Sequence, residues 1–267
     1  MQYTERYLTI VLLDLIGSTA FVQRAGAMRG AQWLQYHDRL ARTLVYRFEG
    51  REVDRSDGFL LSFDRPVDAV NFALIYQQTI PERTKLQARI GVHFGKIVEV
   101  QQDELSVMAG AKSVELEGIA KNIAARTMSL CQAGQVLLTA EAMKAVKGRT
   151  NGFTPRGTRY ACVGEYRFKG VRKPQVIYAV GATIDALQPP PSTEKAKHLA
   201  GPKRIKQRLR DRAFRDWVWW ALKCVALIII CWWLTILGPI IVNPHARLMN
   251  GLTWLDPLIY IITELLL

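Results

Sequence analysis

The 267-residue sequence has few cysteines, and no secretory leader is expected at its N terminus. Its four cysteines form no CxxC pair, and two of them lie in the apolar C-terminal segment, so the sequence predicts no disulfide framework and a reducing compartment. The N-terminal residues do not resemble a signal peptide, because the first apolar run is a short predicted strand that ends in Asp14. These features argue against a small secreted protein held together by disulfides.

Acidic residues are also scarce relative to basic ones, with 23 Asp and Glu against 36 Lys and Arg and a net charge of +13. Residues 195–223 alone hold ten basic and two acidic side chains, immediately before and at the start of an apolar run. That placement favours anionic lipid over nucleic acid as the partner of the basic segment.

The C-terminal third differs in composition from the rest. Residues 182–216 are predicted to be a Pro-rich and then basic linker. Residues 217–242 exceed the roughly 20 apolar residues that a helix needs to cross a bilayer, so they predict a transmembrane helix. The basic residues before this run place the preceding domain in the cytoplasm. Residues 243–267 form a shorter second apolar segment, expected to be interfacial or membrane-associated.

A first candidate site lies near the N terminus. The strand-forming run Thr9–Leu13 leads directly into Asp14, and a glycine turn with two hydroxyl side chains follows at residues 17–19. A run in which apolar and polar residues do not alternate predicts a strand covered on both faces, which places Asp14 at the edge of a sheet. The carboxylate and the backbone amides of the turn could then hold a metal ion and phosphates. The simpler alternative is that Asp14 and Ser18 only start and cap the next helix.

A second acidic residue, Asp57, precedes Gly58 and another strand-like run and is predicted to lie in a hairpin turn. A strand that ends in Asp and a hairpin that begins with Asp can supply the carboxylates of a two-metal phosphoryl-transfer site. Farther along, Asn122 and Arg126 are four residues apart and therefore share one face of a predicted helix.

Together these stretches resemble the catalytic domain of class III nucleotide cyclases, the adenylate/guanylate cyclase superfamily, over roughly residues 5–181. Residues 13–19 resemble the first metal motif of that family and residues 56–59 the second, with Ser56 where the family usually has glycine. Residues 122–126 resemble its Asn-x-x-x-Arg motif, and residues 166–171 resemble its closing strand.

The resemblance implies an α+β fold, a ferredoxin-like class III cyclase catalytic domain over residues 1–181. The transmembrane helix predicted from the apolar run is expected to follow it on the C-terminal side. The sequence pattern predicts helices after Thr19 and from Pro66, a hairpin around Asp57, and a second hairpin over 86–100 that turns at Phe94–Gly95. Polymerase palms share this order of elements, so the fold alone does not name the reaction.

The resemblance also implies roles for individual residues. Two divalent cations, Mg²⁺ or Mn²⁺, would be held by carboxylates and one backbone carbonyl, and the transition-state residues would come from the opposite subunit of a homodimer with shared active sites. The expected metal ligands are Asp14, Leu15 and Asp57; the expected phosphate-binding residues are Gly17, Ser18 and Thr19; and the expected catalytic residues are Asn122, Arg126 and Lys169.

The positions that select the base depart from the family pattern. Adenylate cyclases usually place a lysine where this chain has Val53, and Asp or Thr where it has Glu115; guanylate cyclases use Glu at the first position. Asp54 or Arg55 is expected to read a different edge of the base, and Arg55 is taken as the third base-selecting residue. These departures resemble the pyrimidine cyclases of bacterial Pycsar anti-phage systems, which make cyclic UMP or cyclic CMP.

The sequence therefore predicts a cyclase that converts a nucleoside triphosphate to a 3′,5′-cyclic nucleotide and pyrophosphate, with cUMP or cCMP as a second messenger for a downstream effector in antiviral defence. Its expected location is the bacterial inner membrane, with the catalytic domain in the cytoplasm and no nucleic-acid partner. The alternatives are an adenylate cyclase that makes cAMP and a non-catalytic, nucleotide-binding signalling dimer.

Overall fold

A computed structural model describes residues 1–56, 58–147 and 155–242, without the side chains of residues 208, 209, 211–213, 215 and 231–242. The chain divides into one compact unit, Met1–Ile205, and a second that begins at Lys206. The predicted segment 243–267 lies outside the described residues.

The described elements are a sheet of nine strands, with helices between many of them. The strands are β1 (Gln2–Ile16), β2 (Gly50–Arg55), β3 (Gly58–Phe63), β4 (Gln87–Gln101), β5 (Val114–Glu117), β6 (Val136–Thr139), β7 (Arg159–Phe168), β8 (Gln175–Gly181) and β9 (Ala196–Ala200). The helices are α1 (Ser18–Ala25), α2 (Ala27–Arg47), α3 (Pro66–Thr84), α4 (Glu104–Met108), α5 (Ile119–Leu130), α6 (Ala140–Lys147) and α7 (Pro202–Val242), with a 3₁₀ turn at Asp185–Leu187.

The sheet has the order β2-β3-β1-β4-β6-β8-β7-β9, and β5 pairs with β4. The pairs are antiparallel except for β4 with β6. Because β1 pairs with β4 in register from Gln2 to Ile16, β4 continues through Phe94 and Gly95 as one strand. The predicted hairpin over 86–100 is therefore wrong. Gly95 allows close packing, since a Cβ there would lie 2.7 Å from Nε2 of His93.

Side chains of β1 alternate between two hydrophobic clusters on opposite faces of the sheet. Val11 and Leu13 belong to a cluster with residues of α2, α3 and α6, whereas Leu8 and Ile10 belong to one with residues of α5. This burial confirms the predicted strand with both faces covered.

Helix α5 lies directly against β4 at Gly91. A Cβ on Gly91 would lie 2.2 Å from the backbone nitrogen of Met128 and 2.7 Å from the carbonyl oxygen of Ala124. The absence of a side chain thus fixes how closely the helix that carries Asn122 and Arg126 approaches the sheet.

The first unit continues beyond the predicted domain boundary at Gly181, and the segment predicted as a linker over 182–216 contains regular structure. Strand β9 pairs with β7, and Ala196 and Ala200 are buried. The hydroxyl of Tyr166 donates to the carbonyl of Pro190 at 2.8 Å, which ties the Pro-rich stretch to the sheet. Backbone pairing and burial therefore extend this unit to Ile205.

Residues 217–242, the predicted transmembrane segment, lie in α7. The apolar side chains described from Trp217 to Ile230 are largely exposed. Within the part of the chain that the structure describes, no helix meets the length and apolarity needed to cross a membrane.

Candidate active site

A cavity of about 820 Å³ lies at the end of β1. Its lining includes Asp14, the turn from Leu15 to Ala20, Arg55, Ser56 and Arg89. The structure thus brings the first candidate motif together with residues that flank the second.

Strand pairing explains why the two motifs meet. Asp14 pairs with Gly58 of β3, the residue that follows Asp57 in the chain. A Cβ on Gly58 would lie 2.1 Å from the carbonyl oxygen of Leu13, so only glycine permits this approach of the two strands. Asp57 itself lies outside the described residues.

The turn after β1 exposes the beginning of a helix to the cavity. Gly17 has φ +80°, the left-handed conformation that favours glycine, and α1 begins at Ser18. The hydroxyl of Ser18 donates to the carbonyl of Leu15 at 3.2 Å. Gly17, Ser18 and Thr19 line the cavity with Asp14, which is the placement expected of phosphate-binding residues.

Arg89 forms the closest charged contact of Asp14. Oδ2 of Asp14 accepts from Nε at 3.0 Å and from Nη2 at 2.6 Å. The two residues are direct partners in the β1–β4 ladder. Sequence reasoning missed Arg89, and the only signal for it is the strand register, which the incorrectly predicted hairpin obscured.

The oxygen atoms near Asp14 suit a hard divalent cation. A carboxylate and backbone carbonyls are the ligands that Mg²⁺ prefers, and both Asp14 and Leu15 line the cavity. Among the described residues, which omit Asp57, no group of three or more His, Cys, Asp or Glu side chains is close enough to hold a metal ion. The described residues thus supply part of a ligand set.

Arg55 lies in a different place from the other predicted base-selecting residues. Glu52 pairs with Leu61 and Asp54 pairs with Leu60, so Val53 is an extra residue in a β-bulge. The bulge reverses the alternation, and Arg55 lies on the α2 side of the sheet, with its guanidinium 5.0 Å from the centre of the Phe59 ring. Arg55 therefore lines the large cavity, whereas Val53 and Glu115 line a different one.

Arg55 instead belongs to a network with three buried side chains, those of Asp38, His37 and Tyr76. Its Nε and Nη2 donate to the carboxylate of Asp38 at 3.0 to 3.1 Å, and Nη1 donates to the carbonyl of Ser56. His37 contacts Asp38 through Nδ1 at 2.9 Å and the Tyr76 hydroxyl through Nε2 at 2.6 Å. This network connects α2 and α3 to the residues just before Asp57.

The electrostatics of Asp38 reflect both its burial and its partners. Burial alone raises the pKa of its carboxyl, but hydrogen bonds from His37 and Arg55 and the charge of Arg55 outweigh that effect and lower the pKa below its ordinary value. Asp38 is therefore ionised at neutral pH and holds Arg55 in place.

Val53 and Glu115 line a second, smaller cavity of about 150 Å³. Asp54 and Lys112 form an ion pair there, and Leu60 and Leu116 are also part of the lining. Gln102 Nε2 donates to Oε2 of Glu115 at 3.3 Å. Asp54 lies where the sequence predicted a base-reading residue, whereas Lys112, Glu117 and Lys121 are charged residues of this lining that sequence reasoning did not assign.

The predicted catalytic residues form a third group. Asn122 is exposed on α5, and Nε of Arg126 donates weakly to the carbonyl of Lys169 at 3.5 Å. Lys169 follows β7, and its amide donates to the carbonyl of Lys195 at 2.9 Å. None of these three residues lines the 820 Å³ cavity that contains Asp14.

We expect Asp38→Asn to lower the free energy of unfolding by about 3 kcal/mol, because it leaves the half-buried guanidinium of Arg55 without its counter-charge. The matched control is Glu52→Gln, which breaks the exposed Arg42–Glu52 pair between the same helix and strand and should cost less than about 1 kcal/mol. Urea denaturation measures the free energy of unfolding of both variants.

The difference in stability should also depend on pH. Because the folded-state pKa of Asp38 is lowered, the contribution of its carboxylate to the free energy of unfolding is present at neutral pH and lost in acid. The destabilisation caused by Asp38→Asn should therefore shrink as pH falls through that pKa. Equal effects of the two substitutions at neutral pH would contradict this account.

Residues 2–182 match the family model for the adenylate and guanylate cyclase catalytic domain. A receptor-type adenylate cyclase, ESAG 4 of Trypanosoma brucei brucei, is 25% identical over 221 residues, which are 67% of this chain and 17% of that protein. The serine/threonine-protein kinase pkn2 of Myxococcus xanthus is 32% identical over 99 residues, 34% of this chain and 12% of that protein. The chain thus spans less than a fifth of these curated relatives.

Solved structures share the fold. The adenylyl cyclase CyaB from P. aeruginosa has a TM-score of 0.59 at 18% identity and covers 70% of this chain and 100% of its own. A non-canonical dimeric guanylyl cyclase domain from the aquatic fungus Blastocladiella emersonii has a TM-score of 0.52 at 16% identity, and it covers 67% of this chain and 98% of its own. With the family model matched over most of its length, the chain belongs to the family of adenylate and guanylate cyclase catalytic domains.

Proposed function

We propose that this protein is a nucleotide cyclase that converts a nucleoside triphosphate to a 3′,5′-cyclic nucleotide and pyrophosphate. The observation that carries the proposal is the 820 Å³ cavity, where Asp14, Arg89 and the beginning of α1 come together in a chain of the cyclase family. An acidic residue, a cation and free helix amides are the groups that a metal-bound triphosphate needs.

Each residue has a defined task in the proposed reaction. Arg89 and the amides of residues 17–19 bind the triphosphate. Asn122 orients the ribose so that the 3′-hydroxyl attacks the α-phosphorus in line with the leaving pyrophosphate. Arg126 stabilises the charge that develops on the α-phosphoryl oxygens, and Lys169 neutralises the triphosphate.

Asp14, the carbonyl of Leu15 and Asp57 are the residues that would hold two divalent cations, Mg²⁺ or Mn²⁺. When bound, such ions make the 3′-hydroxyl more acidic and neutralise the phosphates. The hard oxygen character of Asp14 and Leu15 supports this assignment.

The active site is completed by a second copy of the chain. Asp14 and Arg89 line the large cavity, whereas Asn122 and Arg126 lie outside its lining. Two identical chains related by a two-fold axis would place the metal residues of one copy against the helix α5 of the other and form two equivalent sites.

The substrate is a pyrimidine nucleotide, UTP or CTP, and the product is cUMP or cCMP. The small volume of the cavity at Val53 and the departure of that position from the lysine of adenylate cyclases support this choice. The resemblance to Pycsar cyclases extends the proposal to a second messenger that acts on an effector in antiviral defence. ATP is the second candidate, because Lys112 lines the same cavity and its ammonium can donate to N1 of adenine.

Product analysis distinguishes these substrates. With Mn²⁺ and the four ribonucleoside triphosphates at equal concentration, we expect cUMP, followed by cCMP, to exceed cAMP by at least about tenfold, roughly 1.4 kcal/mol in transition-state binding. Chromatography of the products measures the ratio. The control Arg126→Ala should form no cyclic nucleotide. Dominant cAMP would establish an adenylate cyclase, and no cyclic product from the unmodified protein would favour the non-catalytic signalling dimer.

The tail anchors the enzyme to the inner face of the bacterial cell membrane, with the catalytic domain in the cytoplasm. Its support is the basic segment before residue 217 and the exposed apolar side chains that follow in α7.

We expect the full chain to sediment with membranes and to require detergent for release, whereas a chain that ends at Ile205 remains in the supernatant. Recovery of the full chain in the soluble fraction without detergent would contradict the anchor.

A further inference from the structure

The β-bulge at Val53 directs consecutive residues to different sites. Val53 and Asp54 both line the 150 Å³ cavity, whereas Arg55 lines the large cavity with Asp14. A regular strand would have placed Asp54 and Val53 on opposite faces. Bulges near functional sites often re-aim a side chain in this way. The carboxylate of Asp54 is consequently presented beside the position where the family resemblance leads one to expect a base-reading lysine.

The missing lysine is supplied from the opposite wall. Lys112 precedes β5, and its Nζ forms an ion pair with Asp54 inside the cavity lining. Val53, Leu60 and Leu116 provide apolar surface next to this pair, and they pack against the cluster beneath α5. The lining therefore combines this apolar surface with the Asp54–Lys112 pair, with Glu115, and with the Glu117–Lys121 pair. Apolar surface beside a few polar groups is what a nucleobase site requires.

From this geometry we propose that Asp54 and Lys112 read the edge of a pyrimidine base, an assignment that rests on the proposed cyclase function. Uracil presents N3–H beside a carbonyl oxygen, so N3–H donates to Asp54 and the carbonyl accepts from Lys112. Cytosine presents an amino group beside N3. Its amino group donates to Asp54, and its N3, which now lacks a hydrogen, accepts from Lys112. An ammonium with three donors and a carboxylate with several acceptor positions can keep their ion pair while binding the base.

Lys112 also limits the size of the base. A neighbouring cavity of about 340 Å³ shares Val53, Lys112, Val114 and Leu116 with the 150 Å³ cavity. Because Lys112 is the longest side chain that lines both spaces, we expect that shortening it enlarges the base site toward the larger space.

Two substitutions of Lys112 separate charge from size. Lys112→Met keeps the length but removes the donor, so kcat/KM for UTP should fall about tenfold or more without a gain for ATP. Lys112→Ala removes both, so the ratio of ATP to UTP turnover should rise about tenfold or more. Asp54→Asn, which retains shape but not charge, should weaken the preference among bases while the KM for Mn²⁺ stays the same. The cyclic products of each triphosphate, measured separately, give these ratios.

Lys96→Met is the matched control, because Lys96 forms an exposed ion pair with Glu5 and lines neither cavity. It should leave the base ratios unchanged. A loss of folding lowers the turnover of every triphosphate equally, so the ratio reports on base reading alone. Variants at Asp54 and Lys112 that remain active with unaltered ratios would overturn this inference, as would a preference of the unmodified protein for ATP. The absence of any cyclic product from the unmodified protein would instead overturn the proposed function.

Discussion

The antiparallel ladder between β1 and β4 is the constraint on which the rest of the structure depends. It places Asp14 directly opposite Arg89, and it places Gly91 beneath α5. A shift of one residue in this register would move every buried side chain of β1 to the opposite face of the sheet. The two hydrophobic clusters on either side of β1 therefore fix the acidic residue and the helix of Asn122 relative to the same strand pair.

The hairpin of β2 and β3 adds a second constraint. One extra residue, Val53, divides its side chains between two cavities, so that Asp54 and Arg55 take part in different chemistry although they are adjacent in the chain. The buried carboxylate of Asp38 then holds Arg55 by three hydrogen bonds. Breaking the ion pair is costly because Asp38 is buried and Arg55 is largely shielded from water, and this rigidity suits a hairpin that leads to Asp57, a proposed metal ligand.

Much of the fold was predictable from local patterns. The continuous apolar run before Asp14 predicted a strand covered on both faces, and the four-residue spacing of Asn122 and Arg126 predicted a shared helix face. Features that depend on distant pairing were not predictable. Phe94–Gly95 resembled a turn because its partner strand is some eighty residues away, and a β-bulge leaves no mark in the sequence of a short strand. The roles of Arg55 and Lys112 follow from those two features.

The central claim is that one chain carries two incomplete halves of a cyclase site. The most direct measurement mixes Asp14→Ala with Arg126→Ala, each of which should be inactive alone. In a two-fold dimer the heterodimer retains one intact site, so equal mixing should restore about a quarter of the unmodified activity. Differently tagged copies verify that heterodimers form. Restored cyclic-nucleotide synthesis is the predicted result, whereas heterodimers that form and remain inactive would contradict the account.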